Sequence, residues 1–140
     1  MVIDVWMQHP TLRFLGHEMF ESLRRWTGQQ LPNEEPSIDV TAAEMEHAGV
    51  QFGLLSAWSA PHQASLISND EVAGWVSRHQ DRFAGLAAVD LDKPMESVRE
   101  LRRCVSELGF KGLRVVPWLG QNLRRRERDK YRACLNAIAP

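Results

Sequence analysis

The chain is poor in cysteine, in net charge and in long apolar runs, and each shortage removes a class of function. Its two cysteines, Cys104 and Cys134, lie far apart and form no C-x-x-C pair, so they read as ordinary thiols of a reducing compartment rather than a zinc or redox motif. Lys plus Arg number 17 against 18 for Asp plus Glu, a formal charge of −1, which provides no global field to hold nucleic acid or an anionic membrane. No apolar run reaches the ~18 residues of a membrane span, and Met1-Val2-Ile3-Asp4 is neither a basic n-region nor an apolar h-region. A cytoplasmic setting is expected. There is no G-x-S-x-G elbow and no Gly-rich phosphate loop, so serine-hydrolase chemistry and nucleotide binding are unsupported. The one basic cluster, Arg124-Arg125-Arg126 with Arg128 and Lys130, is interrupted by Glu127 and Asp129 and has no aromatic ladder. It reads as a solvated helix start.

What is present is a repeating grammar of short apolar run, polar loop and helix. At 140 residues and 44% hydrophobic content, the chain has enough apolar material for a single domain, 1–140, with its own core. The first run is Val2 to Met7, followed by a helix around Met19 to Trp26 and a loop from Gln29 to Pro36. Thr41-Ala42-Ala43-Glu44 has the form of a capping box, predicting a helix over 42–48 that Gly49 stops in the left-handed conformation. Val50 to Trp58 then reads as a strand, and Ser68-Asn69-Asp70-Glu71 as a second capping box opening a helix through Arg78.

Phe83 to Val89 is nearly continuously apolar, as a strand covered on both faces would be. After Pro94, residues Met95, Val98, Leu101, Val105 and Leu108 recur at three- to four-residue spacing until Gly109, the clearest helix of the chain. Gly112 to Val116 is a fourth strand ended by Pro117, and Asp129 to Ala137 a last helix. Strands joined by crossover helices become parallel neighbours. The predicted fold is α/β, a parallel βα repeat of about four strands equivalent to the N-terminal half of a TIM-type (β/α)8 barrel. Because an open sheet leaves two unpaired edges, the chain is expected to be a truncation.

Several stretches resemble the amidohydrolase-related family of metal-dependent barrel hydrolases and decarboxylases. They are Ile3-Asp4-Val5, Met45 to Val50 leading into Leu54-Leu55-Ser56, Ser68 to Glu71, Asp81 to Val89, and Leu108 to Arg114. The resemblance implies a barrel with a divalent metal such as zinc, held in part by a first strand reading I-D-x-H-x-H. The two histidine positions here are Trp6 and Gln8. Tryptophan cannot ligate a metal, and glutamine offers a weak neutral oxygen. His9 lies one residue beyond and faces the opposite side, so it replaces a ligand only if a bulge or turn precedes Pro10. The family's other ligands come from its fifth and eighth strands and map onto nothing in this chain. No metal ligand is assigned.

The substrate-binding candidates are Gln8, His62, Arg114 and Trp118. His62 follows the second strand and reads either as a substrate-side residue or as a solvated loop histidine. Arg114 and Trp118 stand on the fourth strand and its exit: either the arginine fork binds a substrate carboxylate with the indole alongside, or it pairs with an acid while the tryptophan plugs the core. Asp4 either orients a metal ligand or makes structural hydrogen bonds. His17, His47 and His79 form no ligand pair and are expected on the surface or in helix packing. Two functions follow. One is the N-terminal portion of a hydrolase or decarboxylase for a small carboxylated or carbonyl substrate, inactive in isolation. The other is a non-catalytic half barrel that self-associates, as a homo-oligomer, through its strand edges.

Overall fold

In the computed structural model, residues 1–60, 63–116 and 136 are described. Strands β1 (Ile3–Met7), β2 (Phe52–Ser56), β3 (Phe83–Ala87) and β4 (Gly112–Leu113) pair in parallel in the order β1-β2-β3-β4. Sheet order that follows chain order belongs to a barrel wall, since a doubly wound sheet reverses direction at its switch point. Among the described residues the helices are α1 (Leu12–Leu15), α2 (Glu21–Thr27), α3 (Ile38–His47), α4 (Asn69–Arg78) and α5 (Pro94–Ser106), with a 3-10 turn over Glu18–Phe20. None is long and apolar enough to cross a membrane.

Burial follows position in the sheet. The apolar runs of β2 and β3 are covered on both faces, and their Leu55, Phe83 and Ala87 pack with Ile38, Met45, Ile67, Val72, Leu101, Cys104 and Phe110 to form the core. Edge strand β1 is open: Ile3, Val5 and Trp6 keep roughly half their surface exposed.

The capping box at Ser68 forms as expected, with the hydroxyl accepting from the Glu71 amide and the Glu71 carboxylate from the Ser68 amide. Gly49, at φ 72°, ends α3: its own N–H donates to Glu46 O and that of Val50 to Met45 O. The start of α3 differs from expectation. Ser37, extended and following Pro36, is the cap. The helix therefore begins at Ile38, and Thr41 lies inside it, its hydroxyl taken by His9. The fourth strand is shorter than 112–116. Its ladder covers Gly112–Leu113, and the Arg114 N–H adds one bond to Ala87 O. Apart from Asn136, which is helical, the expected helix over 129–137 lies outside the described residues.

Past the end of β3, one side-chain amide replaces a neighbouring strand. Asn69 accepts from the Ala88 N–H at 2.9 Å and donates to Ala88 O at 3.0 Å and to Glu100 Oε1 at 2.8 Å. Arg103 braces Glu100 and reaches Asp70 at 2.8 Å, tying α5 to α4. Hydrogen bonds from Arg103 hold the Glu100 carboxyl below its ordinary 4.5, outweighing partial burial. For Glu71, burial pushes the value up, but bonds from Ser68 and Arg13 bring it below 4.5.

Two outcomes are expected. A Cβ at Gly85 would lie 2.5 Å from the ring of Phe110, which is itself buried. Gly85→Ala should therefore lower stability in urea denaturation by about 1–3 kcal/mol, as overpacking does. Because Glu71 and Glu100 are depressed on folding, their contribution is complete above about pH 4.5 and lost as pH falls through their lower folded values. Glu100→Gln and Glu71→Gln should each flatten the acid limb of a denaturation midpoint measured against pH.

Candidate functional site

The ends of three strands meet at one hydroxyl. Ser56, the last residue of β2, donates to Met7 O at 3.1 Å and accepts from Gln8 Nε2 and Arg114 Nη1, each at 2.7 Å. A serine hydroxyl has one hydrogen and two lone pairs, so all of its capacity is used. Gln8 is thereby positioned from the end of β1 and Arg114 from the end of β4, on the rim where barrels assemble their sites.

Arg114 is 7% exposed. Its guanidinium carbon lies 3.8 Å from the ring centre of Trp6 and 4.7 Å from that of Trp58, contacts worth about 0.5–2 kcal/mol each. Of its five N–H donors, the one on Nη1 facing Ser56 is engaged. Nε and Nη2, together with Trp58 Nε1, are buried and find no partner among the described residues. Burial with no neighbouring acid to oppose it lowers the guanidinium to about 10, so it stays charged at neutral pH. A lone charge at this depth costs folding on the order of 3 kcal/mol. Among the described residues no acid pairs with Arg114, whose bonded partner is Ser56.

The first strand places the remaining candidates. The register of β1 against β2 is irregular between Asp4 and Met7, and the Trp6 N–H donates to Asp4 Oδ1 at 2.8 Å. Asp4 thus makes a structural hydrogen bond. His9 is buried and fully engaged: one ring nitrogen lies 2.8 Å from Pro36 O and the other 2.7 Å from Thr41 Oγ1, with the ring edge against Trp75. The carbonyl can only accept, so Nε2 carries the proton and Nδ1 accepts from the threonine. His9 has no lone pair left for a metal and is a core residue, in keeping with the absence of an assigned ligand on this strand. His17 caps the turn at Met19, and His79 pairs with Asp39 at 2.7 Å. His62 and Trp118 lie outside the described residues.

Does this donor set fit the divalent ion that the resemblance implies? Trp6 has no ligating atom, Gln8 offers a single neutral amide oxygen beside the Nε2 bound to Ser56, and His9 is spent. No group of three or more His, Cys, Asp or Glu among the described residues could hold a metal. The described residues do not fit the ion; what they hold at this rim is a buried guanidinium with unpartnered donors. Trp58 also borders a cleft of ≈ 430 Å³ lined by His17, Glu18, Glu21, Gln63 and Leu66, to which Arg114 does not contribute. The sequence pointed to Gln8 and Arg114. It did not point to Ser56, Trp58 or the stacking role of Trp6, although a serine closing the buried run Phe52–Ser56 was a usable signal.

The family model described as "Amidohydrolase" matches residues 21–140. Over 90 residues the chain is 32% identical to the 2-amino-3-carboxymuconate-6-semialdehyde decarboxylase of Dictyostelium discoideum, covering 62% of this chain and 23% of that protein. Over 45 residues it is 49% identical to the gamma-resorcylate decarboxylase of Rhodococcus jostii (strain RHA1), covering 32% and 14%. Among solved structures, 5-carboxyvanillate decarboxylase from Novosphingobium aromaticivorans, with bound manganese, superposes at TM-score 0.71 with 23% identity, over 100% of this chain and 49% of that one. A 2,6-dihydroxybenzoate decarboxylase in complex with 2,6-dihydroxybenzoate gives 0.66 and 22%, over 99% and 48%. The chain spans about half the length of these solved relatives, and its four parallel strands are the N-terminal half of a TIM-type barrel. By the family model, which takes in most of its length, the chain belongs to the amidohydrolase family.

Proposed function

We propose that this chain is the N-terminal half of an amidohydrolase-family decarboxylase or hydrolase and that it receives a small carboxylated substrate at the C-terminal ends of its strands. The observation that carries the reading is Arg114: a buried cation with two nitrogens unpaired, held by Ser56 and flanked by two indoles. Gln8 fixes Ser56, and Ser56 fixes the guanidinium. His62 and Trp118, which follow the second and fourth strands in sequence, complete the set we assign to this rim. The relatives named above are decarboxylases, which supports a small carboxylate as the class of substrate.

A non-catalytic half barrel that pairs through its edges would account for the exposed Ile3 and Val5 of β1. It gives no role to a buried, unpaired arginine, and the decarboxylase relatives do not favour it.

Calorimetric titration of the chain with 2,6-dihydroxybenzoate should give saturable binding, whereas resorcinol, which lacks the carboxyl group, should give none. Arg114→Met should abolish that binding without lowering the thermal midpoint, because replacing an uncompensated buried charge by an apolar chain of similar length is neutral or stabilising. A large loss of stability in Arg114→Met together with no carboxylate binding by the parent chain would sink the reading.

A further inference from the structure

We propose that Arg114, clamped between Trp6 and Trp58, takes the place of a divalent metal as the cation of this site, so that the chain binds carboxylate without a metal. The inference rests on the reading that a carboxylate is bound here. It adds what holds that group.

The two residues that depart from the first-strand metal pattern are the two that seat the arginine. Trp6 stacks on the guanidinium at 3.8 Å, and Gln8 bonds the hydroxyl that orients it. The replacements at positions 6 and 8 therefore do more than delete ligands. A guanidinium carries donors and no acceptor, and a divalent ion liganded at position 6 would lie against a like charge.

The unpaired donors have a definite shape. Nε–H and the neighbouring Nη2–H lie on one edge of the guanidinium plane, side by side, and both are free among the described residues, as is Trp58 Nε1. Two parallel N–H groups match the two oxygens of one carboxylate, and the indole N–H provides a third donor for a remaining lone pair. A neutral carbonyl would satisfy one of these donors and leave the guanidinium charge uncompensated. Of the three side chains, Arg114 and Trp58 are 7% exposed while Trp6 is 55% exposed.

The test uses the full chain and two probes. Manganese(II) alone is titrated with the chain and followed by the paramagnetic resonance signal of the free ion. Separately, 2,6-dihydroxybenzoate is titrated by calorimetry in EDTA and again with manganese present. The free-ion signal should be unchanged by the chain, and the carboxylate Kd should agree within about twofold between the two conditions. Arg114→Lys, which keeps the charge but loses the paired edge, should weaken binding by roughly tenfold or more. Disappearance of the free-ion signal, or carboxylate binding seen only with manganese, overturns the proposal and leaves the substrate reading standing. An absence of carboxylate binding in both conditions overturns the substrate reading and this proposal with it.

Discussion

The hydroxyl of Ser56 is the joint on which the candidate site depends. It closes β2, takes the carbonyl of Met7, and accepts one bond each from Gln8 and Arg114. Three strand ends are thereby fixed relative to one another by a group with no spare valence. The joint is most sensitive at its centre, because losing the Ser56 hydroxyl would take a partner from Gln8 Nε2, Arg114 Nη1 and the Met7 carbonyl at once. It also sets the direction of the guanidinium: with Nη1 anchored, the Nε and Nη2 edge has one orientation available, between two indole faces.

That geometry explains how a family associated with metal chemistry can retain its fold while one half departs from its ligand pattern. The first strand is irregular where Trp6 and Gln8 stand, and both side chains are committed to the arginine. His9, the nearest imidazole in sequence, is committed to Pro36 and Thr41. Positive charge at the rim comes from a side chain fixed by neighbours on other strands. Fold and chemistry are carried by different residues, the fold by buried apolar strands and helix caps, the chemistry by a few side chains at strand ends.

The same division governs what the sequence made legible. The βα order could be read because strands covered on both faces leave long apolar runs and because Ser68 and Glu71 sit at capping spacing. Position at a strand exit marked Arg114, and the resemblance to the first-strand I-D-x-H-x-H pattern marked Gln8. The start of α3 was misplaced because Thr41 and Glu44 have the spacing of a capping box. The preference of Thr41 for His9 is a tertiary fact. Ser56 and Trp58 went unread for a related reason: the bonds that define the site link residues 48 and 58 positions apart, and no local pattern reports a contact of that range. His9 shows the opposite limit, since a histidine beside a metal-ligand position looks like chemistry until its partners are known.

The order of the sheet has a consequence for how the molecule is made. Each strand from β2 onward pairs with the strand preceding it in the chain, so a growing polypeptide leaving the ribosome always finds its template already synthesised. Assembly then proceeds as a succession of similar, moderate loop closures. The Ser56 joint is the exception. Its partner Arg114 arrives only with β4, so the joint between these strand ends closes only after all four strands have been synthesised.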